Sequence, residues 1–306
     1  MKLFQRAAAA FGLAALLACA PCAAESLQFC DHAAPTNASD QDLILRFGSL
    51  VREELDGAGS TAVLVARAGL DLHRLHVRYS HAGVALKDNG DLPWTVRQLY
   101  YSCDERKPRI FDQGLAGFLN GSDDAQRSWI TLVVLPPAAA QSLARAAFDK
   151  RQVLDVLGAR YSANAYPFST RYQNCNQWVM ELLATAWNDE PADDTLAPRE
   201  RAQHWLVEQR YAPTEFTFHP HSYMWLGWFV PWLHQDDHPA GDLAQSRYWV
   251  SMPLSIETFV HRMVPDAQRI ELCRDGRHVV VHHGWSDIAD GCVAAPGDRE
   301  LTLSSD

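Results

Sequence analysis

The sequence predicts an α+β fold, an antiparallel sheet packed against helices, and three observations carry that prediction. Strand-like and helix-like segments are partly segregated along the chain and do not alternate as βαβ units. Asn89-Gly90 separates two apolar runs as a hairpin turn does, and Asp275-Gly276 does the same near the C-terminus. Asn174 stands as a helix cap before Cys175-Asn176-Gln177-Trp178, with Gln177 where a capping box places its second member.

Taken in order, Leu43, Leu45, Phe47, Leu50, Val51 and Leu55 recur at helical spacing after Asp40, and Gly57 and Gly59 end the run. Thr61 to Arg67 reads as a short strand, Leu75 to Leu86 as a second and Trp94 to Tyr101 as a third. Trp129 to Leu135 is a further strand, stopped by Pro136-Pro137. Helices are expected from Ala138 to Phe148, Lys150 to Leu157 and Cys175 to Trp187. Asn188 to Pro198 is polar, acidic and carries two prolines, so it is the best internal boundary. Beyond it, Arg199 to Gln209 looks helical, and Thr214 to Trp249 is aromatic, His-rich and broken by Pro220, Pro231 and Pro239. A helix near Ser255 to Met263 and a hairpin over Arg269 to His283 complete the chain.

With 306 residues, 47% hydrophobic and 21% charged, a sizeable core is within reach. The 27 basic residues against 37 acidic give a net charge of -10, and no basic run stands out. Nucleic acid and anionic membranes are therefore poor partners on electrostatic grounds. Lys2 and Arg6, the apolar stretch Ala7 to Ala18, and Cys22-Ala23-Ala24 ahead of Glu25 have the anatomy of a cleaved secretory signal. Lipoprotein anchoring at Cys19 fits less well, because Leu17 is a poor match to a lipobox. The reading is thus 1–24 signal peptide, 25–190 core and 191–306 an aromatic-rich extension packed on the core, in an exported, periplasmic protein.

Export makes the cysteines informative, since thiols outside the cytoplasm tend to be oxidised. Cys19 and Cys22 leave with the signal, and Cys30, Cys103, Cys175, Cys273 and Cys292 remain, an odd set. Cys273 and Cys292 flank the C-terminal hairpin and form a natural pair; Cys30 with Cys103 would then leave Cys175 over, although parity alone does not choose.

Cys175 sits in the first turn of its helix, where free N–H groups and the positive end of the macrodipole favour a thiolate. With Trp178, Val179, Leu182, Leu183 and Ala186 it shares one helical stripe, at the edge of a buried face. Such a nucleophile needs a proton acceptor, and His81 in Tyr79-Ser80-His81-Ala82-Gly83 leads among 13 histidines. If Asn89-Gly90 is a two-residue turn, His81 falls opposite Gln98, whose amide would accept from one ring nitrogen and aim the other at Cys175. A one-residue slip would substitute Arg97 or Leu99. An oxyanion would be met by the Cys175 N–H plus a second donor from Tyr172, Gln173 or Asn174.

The order of a His on a strand, a polar residue on the next strand and a later Cys opening a helix resembles the circularly permuted papain-like proteins of the NlpC type. The blocks Arg78 to Leu86, Trp94 to Tyr101 and Tyr172 to Val179 also resemble a secreted bacterial family, domain of unknown function 2145. The papain-like resemblance implies a permuted papain-like core and a thiol hydrolase or acyltransferase, with Cys175 as nucleophile and His81 as base. Many such proteins carry a His or an acid as the third group, where this chain offers Gln98. The expected partner is an amide or ester of the cell envelope, cell-wall peptide first and a lipid-linked amide or ester second, with no cofactor.

The rival expectation is a non-catalytic envelope binding or assembly module, touching a protein or membrane surface through Trp225, Trp228 and Trp232. A metal-binding protein ranks third: His219, His221, His234, His238, His282 and His283 are suggestive, but no HExxH or CxxC accompanies them.

Overall fold

Asn37 caps the first helix, its Oδ1 accepting from the Asp40 N–H at 2.9 Å. Helix α1 (Ala38–Gly57) follows, with Leu43, Ile44, Phe47, Val51 and Leu55 buried along one stripe. The structure is a computed structural model that describes residues 37–70, 72–89, 92–121, 124–189, 195–218 and 232–304. The expected signal peptide, with Cys19 and Cys22, lies outside the described residues, as does Cys30. All described residues belong to one compact unit.

An eight-stranded antiparallel sheet organises the fold, in the order β10-β9-β8-β5-β1-β2-β3-β4. Its members are β1 (Ala62–Arg67), β2 (His81–Asn89), β3 (Leu92–Ser102), β4 (Lys107–Gly114), β5 (Arg127–Val134), β8 (Gln268–Asp275), β9 (His278–His283) and β10 (Arg299–Thr302). Alternation sends Val63, Val65, Ala85, Val96, Ile130, Leu132 and Ile270 into one core with the α1 stripe and with Phe118 of the short helix α2 (Leu115–Leu119). Against β1, β2 and β3 also pack α3 (Pro137–Phe148) and α5 (Cys175–Trp187). The apolar residues of the opposite parity, Leu64, Val84, Leu86 and Leu99, are buried as well. The sheet is thus covered on both faces, which makes the architecture α+β as expected.

The remaining helices are α4 (Lys150–Asp155), α6 (Pro198–Glu208), α7 (Ala240–Leu243) and α8 (Pro253–Met263), and β6 (Thr214–Thr217) pairs with β7 (Arg247–Val250) in a small second sheet. Among the described residues no helix is long and apolar enough to cross a membrane. Residues 268–302 supply three strands of the main sheet, β8 pairing with β5 so that Ile270 faces Leu132. The Asp275-Gly276 turn is present, with Asp275 paired to His278 and Gly276 at φ 57°, a left-handed conformation that glycine adopts without penalty. Cys273 and Cys292 form a disulfide, Cys103 is disulfide-bonded too, and Cys175 is a free, buried thiol.

The short helix α2, strands β6, β7 and β10 and helix α7 were not expected, and β2 and β4 depart from the sequence expectation in ways that bear on the site. The second strand starts at His81, not Leu75: residues His73–Leu75 form a 3-10 turn, and Leu72 and Val77 pack on Tyr248, Val250 and Met252. Their apolar alternation reports that packing and no sheet ladder. Strand β4 was not expected, since Lys107-Pro108-Arg109 and Asp112-Gln113 are polar and carry a proline; it is the sheet's edge, where proline is tolerated.

Candidate active site

Helix α5 opens as the sequence predicts. Asn174 Oδ1 accepts from the Gln177 N–H at 2.7 Å, and the Asn174 Nδ2 donates to Ala163 O at 3.1 Å. Further along α5, Glu181 is fully buried and receives five donors. Arg199 contributes Nε at 2.7 Å and Nη2 at 2.9 Å, and Gln173, Gln203 and Gln177 contribute amides at 2.6, 2.7 and 3.2 Å. Arg199 also donates to Thr170 O and Tyr172 O. This network ties the segment before Cys175 to the body of the helix, so it fixes where the thiol stands. Burial pushes the Glu181 carboxyl up, against the opposing pull of Arg199.

The Cys175 sulfur lies among three backbone N–H groups, those of Asn176, Ala82 and Cys175 itself. The Asn176 side chain reinforces the docking by donating to Ser80 O at 3.1 Å. The start of α5 is thereby seated on the start of β2, on both sides of His81. The expectation of a lowered thiol pKa is not met. Burial dominates and pushes the thiol up to about 11, while the N–H groups and the Arg67 cation pull the other way. The helix terminus acts as anticipated; the desolvation of a thiol at 7% exposure is larger.

His81 and Gln98 meet directly. His81 Nε2 and Gln98 Oε1 are 2.7 Å apart, and Gln98 Nε2 donates to Gln113 Oε1 at 2.7 Å. With its amide nitrogen used on Gln113, Gln98 presents oxygen to the ring, so His81 carries its proton on Nε2 and leaves Nδ1 as the basic nitrogen. The strand register differs from expectation by two residues. Val84 pairs with Arg97 and Asn89 with Leu92, which sets His81 level with Tyr100 and Gln98 one diagonal step away. An even displacement keeps every side chain on its face, which is why the His81–Gln98 contact survives. His81 stacks on Tyr100, with centroids 4.9 Å apart at 25°, and lies 6.0 Å from the Phe118 ring. Gly83 has to be glycine here, since a Cβ would stand 2.7 Å from Val96 Cγ1 and 3.0 Å from Arg97 O. Among the described residues no hydrogen bond joins the thiol to the imidazole. Burial, then Arg67, lowers His81 to about 3, opposed by its bond to Gln98.

Two residues that the sequence did not single out complete the site. Arg67 is the direct cross-strand partner of His81, 5% exposed, and its guanidinium lies 5.3 Å from the Phe118 centroid. Tyr161 is buried, and its phenol is pushed well up by burial and then by Cys175 and Tyr100. Both sit on elements whose local pattern is ordinary, a strand end and a loop, and only the pairing of β1 with β2 and of Tyr161 with Gln173 brings them to the thiol.

A model of the family described as "Uncharacterized protein conserved in bacteria", domain of unknown function 2145, matches residues 54–260. The chain belongs to this family. The matched span holds Arg67, His81, Gln98, Tyr161 and Cys175 together. No curated protein and no solved structure gives a match.

The three residues expected to offer a second oxyanion donor are otherwise engaged in this family member. Asn174 is the cap; Gln173 accepts from Gly158 N at 2.7 Å and donates to Val156 O at 2.8 Å and to Glu181; Tyr172 stacks on His234 at 4.3 Å with its hydroxyl turned to Asp236. The donors that do surround the sulfur are backbone N–H groups. Of the histidines weighed for metal, His238 bonds to Asn164 O, His283 pairs with Glu54, and His282 lies between Asp298 Oδ1 at 2.6 Å and Ser286 Oγ at 2.8 Å. His219 and His221 lie outside the described residues. Among those described, no group of three or more His, Cys, Asp or Glu could hold a metal ion. Trp225 and Trp228 also lie outside them, and Trp232 accepts from the Ala163 N–H through its carbonyl at 2.9 Å.

Proposed function

We propose that this chain is an exported thiol hydrolase or acyltransferase with a permuted papain-like core. Its substrate is an amide or ester of the cell envelope, cell-wall peptide first and a lipid-linked amide or ester second. The observation that carries the reading is the free Cys175 at the start of α5, a helix seated on the Ser80 and Ala82 backbone that flanks His81, an imidazole whose tautomer Gln98 fixes. In this mechanism Cys175 sulfur attacks the carbonyl carbon as His81 Nδ1 takes the thiol proton. The same nitrogen then protonates the leaving amine or alcohol, and an acyl thioester remains on Cys175. Water or another nucleophile releases the acyl group, giving its proton to His81, which passes it to the Cys175 sulfur as the thioester bond breaks. Backbone N–H groups at the helix start face the carbonyl oxygen as it gains charge. The Cys273–Cys292 disulfide supports an oxidising compartment.

A second reading has its own observation. Burial holds the thiol up at about 11 and the imidazole down at about 3, so the resting pair is neutral and suits a non-catalytic binding module as well. The two separate in one experiment: intact mass of the mature protein after exposure to cell-wall peptides and to activated esters. The catalytic reading expects an acyl adduct on Cys175 that is lost in Cys175→Ala and forms at least about a hundredfold more slowly in His81→Ala, with both variants folded by circular dichroism. No adduct with any acyl donor, and Cys175 alkylation indifferent to His81→Ala, leaves the binding module.

A further inference from the structure

We propose that Arg67 is the anchor of a carboxylate subsite beside Cys175, so that the acyl substrate carries a carboxylate next to its scissile bond. That the ligand is the acyl substrate rests on the function proposed above; the anion site itself does not.

Arg67 is a buried cation without a counter-charge among the described residues. Arg67 donates through Nη1 to Ala68 O at 3.2 Å and to Gly121 O, and through Nη2 to Tyr100 Oη at 2.8 Å. Its Nε is buried without any hydrogen-bond partner. Among the described residues no carboxylate reaches it. A buried guanidinium carries five N–H bonds and a full charge, and both ordinarily find partners. Here the Nε–H and one N–H of Nη2 remain, and those two nitrogens border the same edge of the guanidinium, the edge that grips a carboxylate with two parallel bonds. Arg274 makes the contrast: its Nε is unpartnered too, but Asp40, Asp124 and Asp275 act on its charge.

Two glycines let the backbone close round the guanidinium. A Cβ on Gly69 would lie 2.8 Å from both Arg67 Nη1 and Ser80 Oγ, and a Cβ on Gly121 would overlap the guanidinium itself. Gly69, Ser80, Tyr100 and Gly121 are only half-buried and rim the approach. Arg67 is also the one cation that acts on both His81 and Cys175, which puts its charge within reach of a group held at the thiol. One buried positive charge matches one carboxylate. A phosphate dianion would call for a second cation, and Arg97, another buried arginine of this sheet, is already bound to Asp112 by two bonds of 2.7 and 2.6 Å.

The test compares two alkylating reagents of one size at Cys175, iodoacetate with a carboxylate and iodoacetamide without. Their rate ratio cancels the ionisation of the thiol. The wild-type ratio is expected to exceed that of Arg67→Gln by about tenfold or more, as an attracting charge at the site raises local reagent concentration. An unchanged ratio overturns the proposal. A second measurement needs no reactive thiol: the melting temperature of Cys175→Ser titrated with acetate and, separately, inorganic phosphate at constant ionic strength. A saturable rise with acetate that disappears when Arg67→Gln is added supports the subsite. A rise with phosphate alone overturns the carboxylate, and no saturable rise overturns the site. If Arg67→Gln does not fold, Arg67→Lys, which keeps the charge and loses the two-donor edge, is expected to give up the acetate response. Acetate binding through Arg67 without any acyl adduct on Cys175 would sink the catalytic reading and leave the anion site standing.

Discussion

Two buried arginines on the same sheet are treated in opposite ways. Arg269 on β8 is enclosed by carboxylates: Nε meets Glu257 at 2.8 Å, Nη1 meets Glu271 at 3.3 Å and Nη2 meets Asp287 at 2.7 Å. Glu271 is shared with Arg78 at 2.9 Å and with the Tyr79 hydroxyl, and Thr131 donates to Glu257 at 2.5 Å. Arg67 on β1 has two carbonyls, one phenol and no carboxylate among the described residues. A closed network of this kind orients strands and asks for nothing further. A cation left with free donors is incomplete until something else arrives, and here it acts on the one thiol that is free among the described residues.

The sharpest way to break the comparison is to delete each charge. Arg269→Met strands Glu257 in the interior, takes one of two cations from Glu271, and is expected to cost about 3–5 kcal/mol in urea unfolding. Arg67→Met strands no carboxylate, loses only hydrogen bonds to neutral groups, and should cost roughly 1 kcal/mol. Equal losses would mean that Arg67 is as structural as Arg269. The next effect sharpens the functional half. Gln98→Ala frees the His81 ring to rotate without removing the base, and a misaimed base is expected to slow Cys175 acylation roughly a hundredfold while leaving stability near wild type. Gln98→Glu, which keeps an acceptor oxygen toward Nε2, should recover part of that rate; failure to do so would assign Gln98 to packing.

Much of this site was legible in the sequence, and the reasons differ by residue. Asn174, Cys175 and Gln177 announce themselves because a capped helix start is a local pattern, and α5 begins and ends where the periodicity places it. His81 and Gln98 were paired correctly from a wrong register, because a shift of two residues preserves the face. Glu181, Arg67 and Tyr161 were illegible for a common reason. Each looks unremarkable in its own segment, and its meaning comes from a partner far along the chain: Arg199 for Glu181, His81 for Arg67, Cys175 for Tyr161. The same limit hid the outcome at the thiol. A helix terminus can be read from sequence, whereas the burial that outweighs it belongs to the assembled sheet.

The smallest expected effect concerns protons, and it separates the two regions without any substitution of a charge. Burial and the neighbouring Arg67 hold His81 down from 6.5 to about 3, so across the neutral range its ring resonances should not titrate. Below 6.5 the unfolded chain binds a proton at this position that the native chain refuses, so the unfolded state gains and stability falls as pH drops toward about 3. At the thiol the sign reverses. The native Cys175 keeps its proton up to about 11 where the unfolded thiol gives it up near 9.0, so stability falls as pH rises through that window. His81→Gln should flatten the acid limb alone and Cys175→Ala the alkaline limb alone. A carboxylate seated on Arg67 would add a negative charge beside both groups and offset the cation that now disfavours imidazolium. Acetate at saturating concentration is therefore expected to raise the His81 titration in the wild type and to leave it unmoved in Arg67→Gln, which ties the proton behaviour of the site to whether its open cation is filled.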